Sequence, residues 1–243
     1  MSLASGIISY YKFDENTGNT VHDSTGINNA TWNGTLGSQW TTGKINSGGS
    51  FNGTNNEVST NLWLASAPNP ISMTAWFQTN NYQTQNQAIM INGQDTGGGS
   101  RGTGLYIGGN NNSSGTIYIL DAVIAWHSCG FNVTDSNWHH ICLTIDLSGN
   151  VAVYLDGVSR FTSGSLGLNT PNTAAYIGGD GGGYWFPGLI DEVGIWNRPL
   201  LSSEAYQLYN SGLGLQYPFT TYRVGFAGNK AHQPIGVTTI TQF

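Results

Sequence analysis

The chain has 243 residues, a length that fits one large all-β domain better than two small ones. Charged residues make up 8% of the chain and the net charge is −6; the seven Lys and Arg form no basic stripe for nucleic acid or an anionic membrane. No apolar run reaches the roughly 18 residues that span a bilayer. Thirty-five Gly and an apolar fraction of 38% predict short strands, many turns and a substantial core.

The N-terminal segment shows no signal peptide, because residues 1–13 contain neither a basic region nor a long apolar stretch. We therefore expect either a mature end here or exit from the cell by another route, as for a virion component. Cys129 and Cys142 leave two alternatives open: a disulfide bond or two free buried thiols.

Alternating apolar residues between turn-forming residues predict a succession of strands. The predicted strands are 7–13, 45–51, 71–77, 88–91, 105–107, 116–125, 138–145, 151–155, 175–177 and 189–196. Tight turns at 147–150 and at Asp156-Gly157 predict a meander from 138 to 162.

A short helix is predicted after the last strand, near 203–210. The sequence Asn-Arg-Pro at 197–199 ends the strand, and Ser202 is a good N-cap. Glu204 places a negative charge on the first turn, and Gly212 stands where a left-handed residue ends a helix.

Several motifs occur in the order typical of one family. The chain resembles a laminin-G-like jelly roll of the concanavalin A-like lectin/glucanase superfamily, from Ile7 to Leu213. The resemblance implies a two-sheet antiparallel jelly-roll sandwich over 1–213, with 214–243 as a C-terminal extension. The motifs are YKFDE at 11–15, DSTG at 23–26, GKI at 43–45, FNG at 51–53, ISMTAW at 71–76, WHHI at 138–141, VYLDG at 153–157, IGG at 177–179 and FPGLIDEV at 186–193.

The carboxylate pattern of the hydrolases on this fold is missing. By resemblance, a laminarinase-like enzyme would carry Glu-x-Asp-x-Glu on one strand, where alternation aims the carboxylates at the sugar. The four Glu residues are not so arranged, and the adjacent Asp191 and Glu192 would point to opposite faces of a strand. We therefore expect a protein that is not an enzyme.

The resemblance also implies a structural calcium ion that ties the first strand to the last. Its ligands would be Asp14, the carbonyl of Gly53 and Asp191, with Asp23 in reserve, since calcium prefers oxygen ligands. The alternative is that Asp191 only caps a turn by accepting hydrogen bonds from backbone amides.

The glycine-rich segment 178–185 is the strongest candidate for a sugar site. Its glycines let the backbone approach a ligand, Tyr184 and Trp185 offer aromatic surfaces, and Asp180 offers a polar group. For Trp185, packing in the core is an equal alternative. Trp126, next to His127, is a weaker candidate, and the loops 95–101 and 110–114 would line the same rim.

The extension 214–243 is too apolar for a free linker, since it contains Tyr217, Phe219, Tyr222 and Ile240. It either adds strands to a neighbouring subunit or packs back on its own domain.

These features predict a lectin-like module that binds glycans or cell-surface polysaccharide outside the producing cell. A phage virion is one location, where the protein would serve decoration, fibre or adhesion. Two other classes stay open. A purely structural assembly subunit needs no exposed aromatic platform, and a glycan-active hydrolase needs opposed carboxylates on the concave face.

Overall fold

The computed structural model describes residues 2–63, 70–80, 86–95, 101–109, 112–122, 125–166, 171–223 and 238–241. Two antiparallel sheets pack face to face, and one short helix follows the last long strand. This architecture confirms the jelly-roll sandwich that the sequence predicts. Among the described residues, no helix has the length and apolar character needed to cross a membrane.

The first sheet is built from strands of both halves of the chain. Its strands in the described part of the chain are β1 (Ile7–Tyr11), β4 (Trp40–Thr42), β5 (Ser47–Asn52), β7 (Ile71–Gln78), β12 (Trp138–Ile145), β13 (Asn150–Leu155), β14 (Val158–Ser165) and β16 (Pro187–Trp196). They run in the order β14-β13-β12-β7-β16-β5-β4, with β1 also paired to β16.

The second sheet takes the remaining strands of the sandwich. Again within the described ranges, they are β2 (Thr20–Val21), β3 (Ala30–Asn33), β6 (Glu57–Ser59), β8 (Gln87–Gln94), β9 (Arg101–Gly109), β10 (Asn112–Asp121), β11 (Ala125–Asn132) and β15 (Tyr176–Ile177). Their order is β11-β10-β9-β8-β15-β6-β3-β2.

The main core lies between the two sheets. Met73 and Phe77 of β7 face it from the first sheet, and Leu105 and Ile107 of β9 face it from the second. All four are almost completely buried. Each such side chain stabilises the fold by about 1.5–3 kcal/mol relative to full exposure.

A second core covers the outer face of the first sheet. The helix α1 (Ser202–Tyr209) packs Ala205 and Leu208 against this face, together with Trp196. Its N-cap is Leu201 rather than the predicted Ser202, and the Glu204 side chain accepts the Leu201 N–H at 2.9 Å. The predicted helix is therefore confirmed within one residue at each end.

The extension begins as part of this second core. Phe219 is buried against Tyr10 and Trp196, and Leu215 and Tyr217 pack beside them. The first residues of the extension therefore pack on the outer face of the first sheet. Beyond them, β17 (Thr220–Arg223) pairs with β18 (Thr238–Thr241), while residues 224–237 of the predicted assembly arm lie outside the described residues.

The two cysteines are free and buried, Cys129 on β11 and Cys142 on β12. Cys129 belongs to the main core and Cys142 to the second core. The alternative of two free buried thiols therefore describes this structure.

Candidate functional site

The outer face of the second sheet carries a third group of buried side chains. Strand alternation turns Leu105 and Ile107 towards the main core and Tyr106 to the opposite face. There Tyr106 packs with Ala88 and Leu120 of the neighbouring strands. An outer sheet face with a fully buried tyrosine requires something to cover it.

The glycine-rich loop packs against this face. Its two ends are joined by the hydrogen bond from the Phe186 N–H to the Gly178 carbonyl, at 3.0 Å. The Gly181 N–H donates to the Glu57 carboxylate at 3.0 Å, and the Ala88 N–H donates to the Tyr184 carbonyl at 2.6 Å. Backbone hydrogen bonds thus fix the loop to the sheet on two sides.

The backbone conformation and the space at position 181 require a glycine. Its φ is +85°, and a Cβ atom would lie 2.9 Å from the Tyr176 ring. Only glycine adopts this conformation readily and leaves that space. The glycine permits the close backbone approach that the sequence predicts, but here the partner is a side chain of the same chain.

Three rings meet at the centre of the face. The Tyr106 ring lies 5.1 Å from Trp126 and 6.2 Å from Tyr184, and Trp126 lies 6.2 Å from Tyr184, between ring centroids. All three pairs are nearly perpendicular, the edge-to-face arrangement that aromatic quadrupoles favour. With Tyr176, which packs on the same cluster, these rings form what we call the aromatic face.

Tyr184 reaches this position at the expense of backbone strain. Its φ of +49° lies in the left-handed region, which a tyrosine adopts at a cost on the order of 1 kcal/mol. The ring contacts to Tyr106 and Trp126 and the carbonyl bond to Ala88 hold it there. The conformation is therefore fixed by its surroundings and not by local preference.

Of the four predicted ligand-binding residues, the structure brings three together. The rings of Trp126 and Tyr184 contact the Tyr106 ring. Asp180 lies close enough for its charge to act on the Tyr106 hydroxyl. Trp185 is half-buried and makes no ring contact with the described residues. Residues 96–100 and 110–111, from the two loops predicted to line the rim, lie outside the described residues.

Three carboxylates accompany the aromatic face, and we call Glu57, Asp95 and Asp180 the acidic cluster. Burial raises the pKa of all three. The pKa of Asp180 rises to about 8, first through burial and then through the charge of Asp95, with Glu57 adding to it. Hydrogen bonds from backbone amides, such as Gly183 N–H at 2.9 Å, only partly offset these effects.

Several polar atoms of the face have no hydrogen-bond partner within the described part of the structure. They are the hydroxyl of Tyr106, one oxygen of Asp180 and the side-chain oxygen of Asn86, and all three residues are at most 3% exposed. An unpartnered buried polar group costs about 1–3 kcal/mol. Each such atom in a native structure needs an explanation, and a ligand that completes the hydrogen bonds on this face would be one.

The predicted calcium ligands do not converge on one point. Asp14 and Asp191 both lie at the turn that precedes β5, but Gly53 follows the far end of β5, about 20 Å along the strand. Among the described residues, no group of three or more His, Cys, Asp or Glu side chains is placed to hold a metal ion.

The carboxylates of Asp14 and Asp191 are also turned towards N–H donors, where a cation would need free oxygens. Asp191 accepts the N–H groups of Lys44 and Ile45 with one oxygen, at 2.8 and 3.0 Å. Asp14 accepts the Ser47 N–H at 3.0 Å. These contacts match the turn-capping alternative, and the residues implied by the resemblance do not fit calcium in this arrangement.

Asp191 and Glu192 do not follow the simple alternation predicted for them. The pairing of β16 with β7 shifts between Asp191 and Gly194, and Glu192 has a φ of +49°. This bulge leaves both carboxyl groups buried, and burial is the main cause that raises the pKa of Asp191 to about 9 and of Glu192 to about 7. Glu192 accepts hydrogen bonds from Tyr10 and Gln216, so the pair has a role in the fold.

The sequence reasoning missed Tyr106 and Glu57 as members of the site, whereas Asp95 belongs to a loop that it predicted to line the rim. One signal was visible, because Tyr-Ile-Gly-Gly occurs at both 106–109 and 176–179, and both tyrosines belong to the aromatic face. Glu57 gave no signal, since it stands on a strand of three residues whose partners are distant in the sequence.

Comparison with known proteins gives one family. A laminin G family model, described as concanavalin A-like lectin/glucanases superfamily, matches residues 52–205, more than half of the chain. No curated protein sequence gives a significant match.

Solved structures with the same fold have low sequence identity to this chain. Domain 4 of AbnA, an extracellular GH43 arabinanase from Geobacillus stearothermophilus solved in complex with arabinotriose, has 22% identity and a TM-score of 0.64, over 86% of this chain and 98% of that domain. Trypanosoma rangeli sialidase has 18% identity and a TM-score of 0.65 over 87% of this chain, which spans only 34% of the sialidase. The binding domain of Paraclostridial Mosquitocidal Protein 1 has 15% identity and a TM-score of 0.67, over 91% of this chain and 58% of that one.

Proposed function

Because the chain belongs to the laminin-G-like group of the concanavalin A-like lectin/glucanase superfamily, we propose that it is a non-catalytic carbohydrate-binding module. The aromatic face is its ligand site. The observation that carries the proposal is the meeting of Tyr106, Trp126 and Tyr184 beside unpartnered buried polar atoms. Sugars need both features, because aromatic surfaces contact their C–H groups and polar atoms bind their hydroxyls.

The aromatic face has a buried floor and an accessible rim, which would contribute to binding in different ways. Tyr106 and Asp180 are fully buried and form the floor, where hydrogen bonds to a ligand would be shielded from water. Trp126 and Tyr184 are half-buried, so each leaves part of its ring accessible at the rim. The arabinotriose complex of AbnA domain 4 supports a sugar-binding role for this fold, although its sequence identity to this chain is low.

A glycan array with the full chain tests the proposal, followed by affinity measurements on the glycans that bind. Tyr184→Ala and Trp126→Ala should each weaken binding about tenfold, the equivalent of ~1.4 kcal/mol. Tyr206→Ala is the matched control, because Tyr206 is 53% exposed and stands on α1, beyond the first sheet. If the three variants bind equally well, the aromatic face is not the site.

A hydrolase is the second candidate, because of the electrostatics of the acidic cluster. Asp180 has the raised pKa of a general acid, and Glu57 and Asp95 lie close enough for their charges to act on it. Glycoside hydrolases use such a pair across the scissile bond. We expect no turnover, and a reducing-sugar assay on every bound glycan decides. Turnover that disappears in Asp180→Asn would establish the enzyme.

We extend the proposal to the place where the module works, outside the producing cell on a cell surface or a phage virion. Low charge and a surface rich in amides and hydroxyls support this location. Mass spectrometry of purified virions and of the extracellular fraction tests it. Recovery of the protein only from the cell interior would contradict this part of the proposal and leave the binding function standing.

A further inference from the structure

The acidic cluster has no positive partner in the part of the chain that the structure describes. Within these residues, none of Glu57, Asp95 and Asp180 forms an ion pair with Lys or Arg, although Arg198 and Glu204 pair elsewhere. Buried carboxylates are normally paired, because an isolated buried charge is costly.

The carboxylates of the acidic cluster repel one another, and this repulsion contributes to the raised pKa of Asp180. The pKa of Asp180 is raised to about 8 by burial and then by the charge of Asp95 and, more weakly, of Glu57. A charged group that binds near Asp180 should therefore change the protonation of the Asp180 carboxyl. A positive group on this face would favour the ionised carboxylate and lower that pKa.

A second observation points to a ligand in the same place. The Tyr106 side chain is fully buried, its hydroxyl has no partner among the described residues, and the charges of Asp180 and Asp95 both act on it. Asn86 adds an unpartnered oxygen beside Tyr184. The Asn86 oxygen accepts and the Tyr106 hydroxyl both accepts and donates, so a group with N–H or O–H donors can complete both.

We propose that the aromatic face selects sugars that carry a free amino group, and that the acidic cluster binds the ammonium of such an amino sugar. This inference rests on the proposed carbohydrate-binding function and adds the class of ligand. An ammonium supplies three N–H donors and a positive charge, and it is attracted to the faces of Tyr and Trp rings.

The proposal also states which sugars bind poorly. Uronic and sialic acids carry a negative charge towards the acidic cluster, so like-charge repulsion excludes them. An N-acetyl group removes the positive charge and two of the three N–H donors, and it leaves the carboxylates unpaired. A neutral sugar offers hydroxyl donors without charge, and its binding should lie between these cases.

Three β-1,4-linked oligomers of equal length test this selection, since they differ only at carbon 2. They are oligomers of glucosamine, N-acetylglucosamine and glucose, and calorimetry at pH 6 and low salt measures binding to the full chain. We expect the glucosamine oligomer to bind about tenfold more tightly than the other two, as cation–π and ionic contacts at a partly buried site predict. Asp180→Asn and Glu57→Gln should each abolish most of this preference.

Glu15→Gln is the charge-matched control, because Glu15 follows β1 and takes no part in the cluster. It should keep the preference, and melting curves confirm that each variant is folded. Equal affinity for the three oligomers, or a preference that survives Asp180→Asn and Glu57→Gln, overturns amino-sugar selection while sugar binding stands. If no oligomer binds, the inference fails, and the glycan array decides separately on the proposed function.

Discussion

The buried carboxyl of Asp180 allows a quantitative prediction about stability and pH. We expect the stability of the wild type to fall as pH rises. In Asp180→Asn the stability should fall less over the same pH range. The substitution keeps the size of the side chain and mimics the protonated carboxyl. The amide oxygen that it introduces can still accept the Gly183 N–H, which Asp180 accepts at 2.9 Å.

The sign follows from comparing the folded and unfolded states. In the unfolded chain the Asp180 carboxyl ionises at its ordinary pKa of 3.8, whereas in the folded protein burial and then Asp95 raise this pKa to about 8. Between these values the folded state binds more protons, so stability falls as pH rises from about 4 to about 8 and is then constant. At ~1.4 kcal/mol per unit, the four-unit difference corresponds to about 6 kcal/mol, of which about 5 kcal/mol is lost between pH 4 and pH 9.

Urea denaturation at pH values from 4 to 9 measures this contribution. The free energy of unfolding of Asp180→Asn, relative to wild type, should increase by several kcal/mol across the range, up to about 5 kcal/mol. The raised pKa values of Asp191 and Glu192 act in both proteins and therefore cancel in the difference. Parallel pH profiles for the two proteins would refute the reasoning, since the carboxyl would then titrate alike in both states.

Three further predictions concern the rest of the molecule. Arg198→Met should lower stability by about 3 kcal/mol at pH 7, because it leaves the buried Glu204 carboxylate without its two 2.7 Å contacts; urea denaturation measures this, and adding Glu204→Gln should restore part of the loss. A chelator should leave the melting temperature unchanged, because N–H donors occupy the carboxylates of Asp14 and Asp191; a drop that calcium reverses would contradict this. Truncation after Leu213 should lower the melting temperature markedly by opening the second core, and an unchanged melting curve would show that the extension is separate.

The sequence predicts several of the long strands because local alternation and turn chemistry define them, but it misses β11. The strand 138–145 is observed at its predicted bounds, and the turn at Asp156-Gly157 has both residues at positive φ, as a tight hairpin requires. The short strands β2 and β6 carry two and three residues, so no periodicity can reveal them. They exist because distant neighbours pair with them.

The candidate site could be predicted only in part, because some of its residues are brought together from distant positions of the sequence. Asp180 and Tyr184 belong to one glycine-rich loop whose composition is unusual, so the sequence alone indicates them. Glu57 joins them through its hydrogen bond with Gly181, across 124 positions of the chain, and no local pattern encodes that contact. The residues that the resemblance implies for calcium do not converge, because this fold places them at opposite ends of β5.

The outer faces of the two sheets are covered by different kinds of residue, and the cover of the second sheet is the less stabilising one. The outer face of the first sheet is closed by apolar residues of α1 and by Phe219, which is the arrangement that packing alone favours. The outer face of the second sheet is closed instead by a glycine-rich loop, a strained Tyr184 and carboxylates that repel one another. An apolar loop would stabilise this face more, because it would not bury the Asp180 carboxyl beside other carboxylates. Local conflicts of this kind are expected at functional sites, and the unpartnered Tyr106 hydroxyl and Asp180 oxygen are the reason to look for the ligand there.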